Sequence, residues 1–210
     1  EGHGRSFLTG VATDSHRLSS SSLEIEKTNE FSPLILPRKT VFQLCSLLTE
    51  NNEKLYIQTS ENKIKFTIGN IKLISKVIDG KFPDYKKVVP TDNKKILKVS
   101  SKDFINSVER VTSVSMDGKE GVKLAINKDN IQLSVNSANS GEGNEVIKAT
   151  YNSDNINISF NSKYLTDIAS EVEDKDLVMN FKDSTSPVLI KDASDKNSYY
   201  VIMPMKIWFV

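Results

Sequence analysis

The strongest constraint on how this chain can fold is an internal repeat with a period of about 60 residues. Three stretches share one order of elements: strand, helix, strand, strand, strand. In residues 33–79, Leu34, Ile35 and Leu36 predict a short strand leading into Pro37. Val41, Leu44, Cys45 and Leu48 then fall at the i, i+3, i+4, i+7 spacing of an amphipathic helix. Leu55/Ile57/Thr59 and Ile64/Phe66/Ile68 alternate as strands do, and Gly69-Asn70 predicts a hairpin turn into a third strand over 71–78. The second unit has a strand over 96–99, Ser101 as helix N-cap and the stripe Phe104, Val108, Val111. Its strands follow near 122–126, 131–135 and 145–151. The third has a strand over 156–160, Asn161 as cap and the stripe Leu165, Ile168, Ala169, Val172. Its closing strands fall near 177–181, 188–190 and 199–205. The predicted helix starts at Arg38, Ser101 and Asn161 lie 63 and 60 residues apart.

This pattern predicts an α+β fold of repeated β-α-β-β-β units with antiparallel sheets. Two units can bury their apolar faces by pairing helix to helix and sheet to sheet, which makes one domain from two repeats. Residues 89–210 then form a complete domain. Residues 1–88 form the rear of another, because 7–13 and 17–25 read as the last two strands of an earlier unit. The stretch 80–95, with Pro83 and Pro90, is the natural linker. Hydrophobic residues make up 38% of the chain, which suits packed cores and excludes a disordered chain. No apolar run approaches the ~20 residues of a membrane helix, and no signal peptide is recognisable, so a cytoplasmic location is expected. The lone cysteine, Cys45, excludes an intramolecular disulfide and is expected to pack in the core. The chain opens on Glu1 rather than Met, which fits a fragment or a processed product.

The run Thr13-Asp14-Ser15-His16-Arg17-Leu18 holds the residue types of a hydrolytic triad. Consecutive residues splay apart, however, whereas a triad needs side chains converging from separate positions. A turn in which Asp14 and Ser15 bond local amides is the simpler expectation. His3 and His16 share no ligand-like spacing, and no phosphate-binding glycine loop is present. No metal, no cofactor and no catalysis are therefore expected. The net charge of +1 does not announce a nucleic-acid binder, so any DNA contact must be local and mainly through lysine.

Three stretches carry a family resemblance. The first is Thr13-Asp14-Ser15-His16-Arg17-Leu18. The second runs from Lys76 through Asp79-Gly80-Lys81-Phe82-Pro83-Asp84-Tyr85, and the third is Met203-Pro204-Met205-Lys206. Their order, on a 60-residue repeat, resembles the bacterial sliding clamp family, the beta subunit of the replicative DNA polymerase, over essentially the whole chain. Lys206 and Lys87 stand where many relatives have Arg. The resemblance implies three similar domains per chain, with two chains closed head to tail into a ring around duplex DNA, helices inside and sheets outside. This chain would supply the last domain and the rear of the middle one. It would therefore not close a ring by itself, and its ring-interface edge would lie near residues 113–116 and the strand after them.

The resemblance also implies a non-catalytic processivity role, with replicative polymerase subunits, clamp loader, repair polymerases and mismatch-repair proteins docking through short peptides. The pocket would be built from Thr13, Ser15, His16, Arg17 and Leu18, with Pro83, Lys87 and Val88 from the linker. Asn161 and Tyr164 would come from the last helix, Thr185 and Pro187 from a late strand, and Val201, Ile202, Met203, Pro204 and Met205 from the terminal strand. On an extended strand Val201, Met203 and Met205 would share one face. Arg38, Lys39, Lys102, Arg110 and Lys163 would face DNA. The tail Trp208-Phe209-Val210 is apolar enough to compete for the same pocket. A scaffold that binds peptides without DNA remains the other reading, since Asp103, Glu109, Asp167 and Glu171 dilute the positive charge of the helices.

Overall fold

The computed structural model describes residues 6–26, 32–48, 53–115, 121–137, 141–172 and 175–205. In chain order the elements are β1 (Ser6–Thr13), β2 (Arg17–Ile25), α1 (Arg38–Leu47), β3 (Leu55–Thr59), β4 (Lys63–Ile68), β5 (Ile71–Lys76), β6 (Lys95–Ser100) and α2 (Ser101–Thr112). They continue with β7 (Gly121–Asn127), β8 (Asn130–Ser137), β9 (Gly141–Lys148), β10 (Thr150–Tyr151), β11 (Ile156–Asn161), α3 (Ser162–Ser170), β12 (Asp176–Phe181), β13 (Val188–Asp192) and β14 (Ser198–Ile202). The fold is α+β, with antiparallel sheets and helices packed on them, as the repeat predicts. The chain divides into two compact units, residues 1–26 with 86–210, and residues 27–85.

The larger unit holds a seven-stranded sheet in the order β1-β2-β14-β13-β12-β6-β10 and a four-stranded sheet in the order β11-β7-β8-β9. Helix α2 packs on α3 and on strands of both sheets, so its stripe is enclosed. Phe104, Val108 and Val111 are at most 3% exposed, and Leu165, Ile168, Ala169 and Val172 are buried beside them. Each of these side chains except Ala169 contributes roughly 1.5–3 kcal/mol by leaving water, offset largely by the entropy of ordering the chain. The helix starts are fixed locally. Asn161 accepts from the Tyr164 amide at 3.2 Å, as expected of a cap. At α2 the cap is Ser100, whose hydroxyl accepts from the Asp103 amide at 3.3 Å. Ser101, the expected cap, is one residue inside the helix, and its amide donates to the Lys175 carbonyl at 2.8 Å.

The β1–β2 hairpin forms as expected, but it does not stay with the repeat that follows it in sequence. Strand β2 pairs along β14, from Ser21 opposite Ser198 to Arg17 opposite Ile202. Residues 6–25 thereby become the edge of the seven-stranded sheet. Strand β14 itself stops at Ile202, so 203–205 leave the sheet rather than extend it. The expected strand over 145–151 is broken at Ala149 into β9 and β10. The strand after residues 113–116 is β7, bonded on both sides by β11 and β8. It therefore offers no free edge; the outer strands of that sheet are β9 and β11. Met116 lies outside the described residues.

The smaller unit has one helix among its described residues and the three-stranded sheet β3-β4-β5. Gly69 takes φ 52° in the β4–β5 turn, which glycine accepts without a Cβ clash. Three expectations fail here. The strand at Leu34–Leu36 reduces to a single bridge from Ile35 to Ile78, because Pro33 and Pro37 bracket it and supply no amide donors. The α1 stripe is not buried: Val41 is 42% and Leu48 47% exposed, and the buried residue of this helix is Thr40. The Thr40 hydroxyl bonds to the Ser75 hydroxyl at 2.7 Å. Cys45 is exposed rather than core. Periodicity marks the face that can be covered, and within this unit no second described helix covers it.

Candidate functional site

The residues of the first motif form the turn between β1 and β2. Ser15 takes φ 73°, a left-handed conformation for a non-glycine residue. The turn is held by Asp14, whose Oδ1 accepts from the His16 and Arg17 amides at 3.0 and 2.9 Å. Thr13 donates its hydroxyl to the Arg17 carbonyl at 2.8 Å. With Asp14 bonded to backbone and to Arg17, the Asp14-Ser15-His16 run is a structural turn and not a relay.

Arg17 organises what surrounds the turn. Its Nε donates to Asp14 Oδ2 at 3.0 Å, and its Nη1 donates to Asp167 Oδ2 at 2.7 Å across 150 residues of sequence. The guanidinium also lies 4.2 Å from the centre of the Tyr164 ring, a cation–π contact. His16 stacks on the same ring at 6.4 Å with an interplanar angle of 28°. The segment that leaves β14 closes the other side. Met203 donates its amide to the His16 carbonyl at 2.8 Å, and Met205 donates to the Ser159 carbonyl at 2.7 Å. The β1–β2 turn, the start of α3 and residues 203–205 are thus one bonded assembly.

Beneath it lies an apolar row on the sheet face opposite the main core. Leu189 of β13 is opposite Val201 of β14, and Val201 is opposite Leu18 of β2. All three are buried, at 9%, 3% and 4% exposure. Met203 and Met205, which follow directly on β14, are 40% and 41% exposed, so two flexible apolar side chains adjoin the strand that carries Val201; Val88 is 52% exposed. Val201 and the two methionines do not share a strand face, because the strand has ended; Ile202, fully buried, points into the main core. Lys87 is exposed and in the larger unit, whereas Pro83 belongs to the smaller one.

Thr185 and Pro187 are not in a strand but in the turn before β13. Asp183 builds that turn, accepting on Oδ1 from the Thr185 and Ser186 amides at 2.8 and 2.7 Å and from the Thr185 hydroxyl at 3.0 Å. Asn93 ties the turn down, donating to the Pro187 and Asn180 carbonyls at 2.9 and 2.8 Å. Of the other expected residues, Arg38, Lys39, Lys102, Arg110 and Lys163 are all exposed. Arg38 lies over the Phe42 ring at 5.2 Å. Arg110 is bonded to Glu145 and to Ser107, and Lys163 pairs with Asp167 at 3.4 Å. The 206–210 tail lies outside the described residues. Sequence reading missed Leu189 and Ser159 as site-builders, and it assigned Asp167 to a solvated helix face.

The acids in these turns titrate low. Burial raises the Asp14 and Asp167 carboxyls, but their hydrogen bonds outweigh it and hold both below the ordinary range. For Asp14 those bonds come from the His16 and Arg17 amides and the Arg17 side chain; for Asp167 they come from Arg17 and Lys163. The Thr185 amide, the Ser186 hydroxyl and the Ser186 amide lower Asp183 to about 2. A carboxyl depressed on folding contributes stability above its unfolded value, near about 3.9 for Asp, and that contribution is lost as pH falls through the folded value. The Asp183 share should therefore disappear between about pH 4 and pH 2. Thermal melts across that range should show a shallower acid decline for Asp183→Asn, with a lower midpoint at neutral pH. An identical pH profile would contradict the role given to Asp183.

Comparison with known proteins matches residues 3–84 to the central domain, and residues 86–206 to the C-terminal domain, of the DNA polymerase III beta subunit. The chain belongs to the beta sliding clamp family. It is 35% identical over 205 residues to the beta sliding clamp of Caulobacter vibrioides, covering 97% of this chain and 55% of that one. It is 31% identical over 200 residues to that of Escherichia coli K12, covering 95% and 55%. Among solved structures, a sliding clamp from Bartonella birtlesii bound to griselimycin superposes with TM-score 0.91 at 38% identity, over 96% of this chain and 55% of that one. The sliding clamp of Caulobacter crescentus gives TM-score 0.91 at 34% identity over 98% and 55%. The chain spans about half the length of the relatives it matches. Among the described residues no group of three or more His, Cys, Asp or Glu could hold a metal ion, and no helix is long and apolar enough to cross a membrane.

Proposed function

We propose that this chain is the rear part of a non-catalytic sliding clamp that encircles duplex DNA and tethers the replicative polymerase. Residues 1–88 would be the end of its middle domain and 89–210 its last domain. In the full-length protein two chains would close head to tail. One docking surface per chain would receive short peptides of the polymerase, the clamp loader and repair proteins. The observation that carries the docking reading is the bonded assembly of His16, Arg17, Tyr164, Asp167 and Met203 above the buried row Leu18–Val201–Leu189. A rigid polar frame beside exposed methionines suits apolar peptide side chains of varied shape. A fluorescein-labelled docking peptide of the replicative polymerase, titrated into the chain, tests it; no saturable binding would overturn the reading.

DNA contact would fall to the lysines and arginines of the helix faces. With two or three phosphate contacts, affinity for duplex DNA should drop about 10- to 40-fold between 50 and 200 mM salt, without sequence preference. Salt-independent or sequence-selective binding would contradict it. A peptide-binding scaffold without DNA has one observation in its favour: Arg110 and Lys163 are already paired with Glu145 and Asp167. The same titration separates the two readings, since that scaffold would leave DNA unbound at both salt concentrations.

A further inference from the structure

The face of the seven-stranded sheet that carries the Leu18–Val201–Leu189 row also carries a second row, one step further along the strands. Lys98 of β6 is opposite Val178 of β12, Val178 is opposite Lys191 of β13, and Lys191 is opposite Tyr199 of β14. Lys191 and Leu189 are two residues apart on β13, as are Tyr199 and Val201 on β14, so both rows face the same way, roughly 7 Å apart. This second row lines an open groove of about 560 Å³, to which Val89 and Lys196 also contribute.

The groove is basic in effect. Lys98, Lys191 and Lys196 are exposed, and none has an acidic partner among the described residues. Its two carboxylates are engaged locally: Asp192 is 6% exposed and accepts from the Ser194 amide at 2.8 Å, and the half-buried Asp195 accepts from the Asn197 amide at 2.8 Å and from Ser198. Val178, Leu189 and Tyr199 give the lysines an apolar bed, on which a peptide backbone can lie.

We propose that this groove binds an acidic segment flanking the docking peptide of the same partner. The inference rests on the docking reading above, because the groove is continuous with that surface through Leu189. The dimensions agree. From β6 to β14 the strip crosses four strands, about 14 Å at the usual strand spacing, which an extended segment of about four residues spans. Solvent-exposed pairs are individually weak, so three lysines add modest affinity and steer the encounter.

The test uses the labelled polymerase docking peptide extended by four glutamates or four glutamines, at either end in separate peptides. On the chain as it stands, the glutamate version at one end should bind about five- to tenfold tighter at low salt. That advantage should vanish near 1 M salt, where the screening length is about 3 Å. It should also vanish in K98Q/K191Q/K196Q, which should bind the glutamine peptide unchanged and so report its own folding. Were the triple variant to lose that binding, the single K191Q variant would serve, with the advantage reduced about twofold. Equal affinity of the two peptides, or an advantage that survives the substitutions, overturns the proposal and leaves the docking reading intact. Failure of the glutamine peptide to bind the unaltered chain overturns the docking reading and this inference with it.

Discussion

Replacing Leu18 by alanine should destabilise the larger unit by about 2–4 kcal/mol, the usual range for deleting a buried leucine that leaves a cavity. Leu18 is 4% exposed and faces Val201, 3% exposed, directly across the β2–β14 pair. It is not part of the main core, so the loss falls on the contact that holds the β1–β2 hairpin to the sheet. Urea denaturation should show a lower midpoint, and hydrogen exchange in β1 and β2 should accelerate beyond that of the rest of the sheet. Binding of the polymerase peptide should fall at least tenfold, because the same side chain floors the docking surface. Leu18→Met, which conserves volume, should cost less than about 1.5 kcal/mol. An unchanged midpoint for Leu18→Ala would mean that the row is not packed as described.

Replacing Arg17 by alanine should have the largest effect on the site itself. The substitution leaves Asp14 and Asp167 without their shared cation and removes the contact with Tyr164. Both ion pairs are about one-third exposed, so solvent screening limits the loss of stability to about 1–2 kcal/mol. The effect on binding should be greater, about tenfold or more, because Tyr164 and the Asp14 turn that carries His16 lose the side chain that links them. Arg17→Lys should recover little, since an ammonium cannot serve two carboxylates in a fixed fork and also lie flat on a ring. A double-mutant cycle of Arg17→Ala with Asp167→Asn separates the pair from the rest. A coupling energy near zero would show that the 2.7 Å contact does not matter.

Most of the larger unit was legible in the sequence because its helices and strands are amphipathic elements whose buried faces are local properties. The stripes Phe104/Val108/Val111 and Leu165/Ile168/Ala169/Val172 are read from i, i+3, i+4 spacing alone, and all seven side chains are buried. The same spacing over-predicted at α1. A stripe states which face can be covered, and the cover must come from another element. The site divides in the same way. The turn Thr13–Leu18 was legible, since Asp14 bonds amides only two and three residues ahead. The stop of β14 at Ile202 was not, because residues 203–205 alternate like a strand but give their amides to His16 and Ser159.

By itself the sequence determined the repeat, the order of its elements, the helix caps to within a residue and the β4–β5 turn at Gly69. Each of these depends on side chains a few residues apart, where backbone geometry already fixes who can touch whom. The tertiary structure alone decided that β2 joins β14, that Leu18, Val201 and Leu189 make a second packed row, and that Asp167 serves Arg17. These pairings join positions 150 or more residues apart, apart from the Leu189–Val201 link between neighbouring strands. They follow from which strand edges and helix ends meet when the chain closes, and a local pattern of polar and apolar residues is compatible with many such meetings.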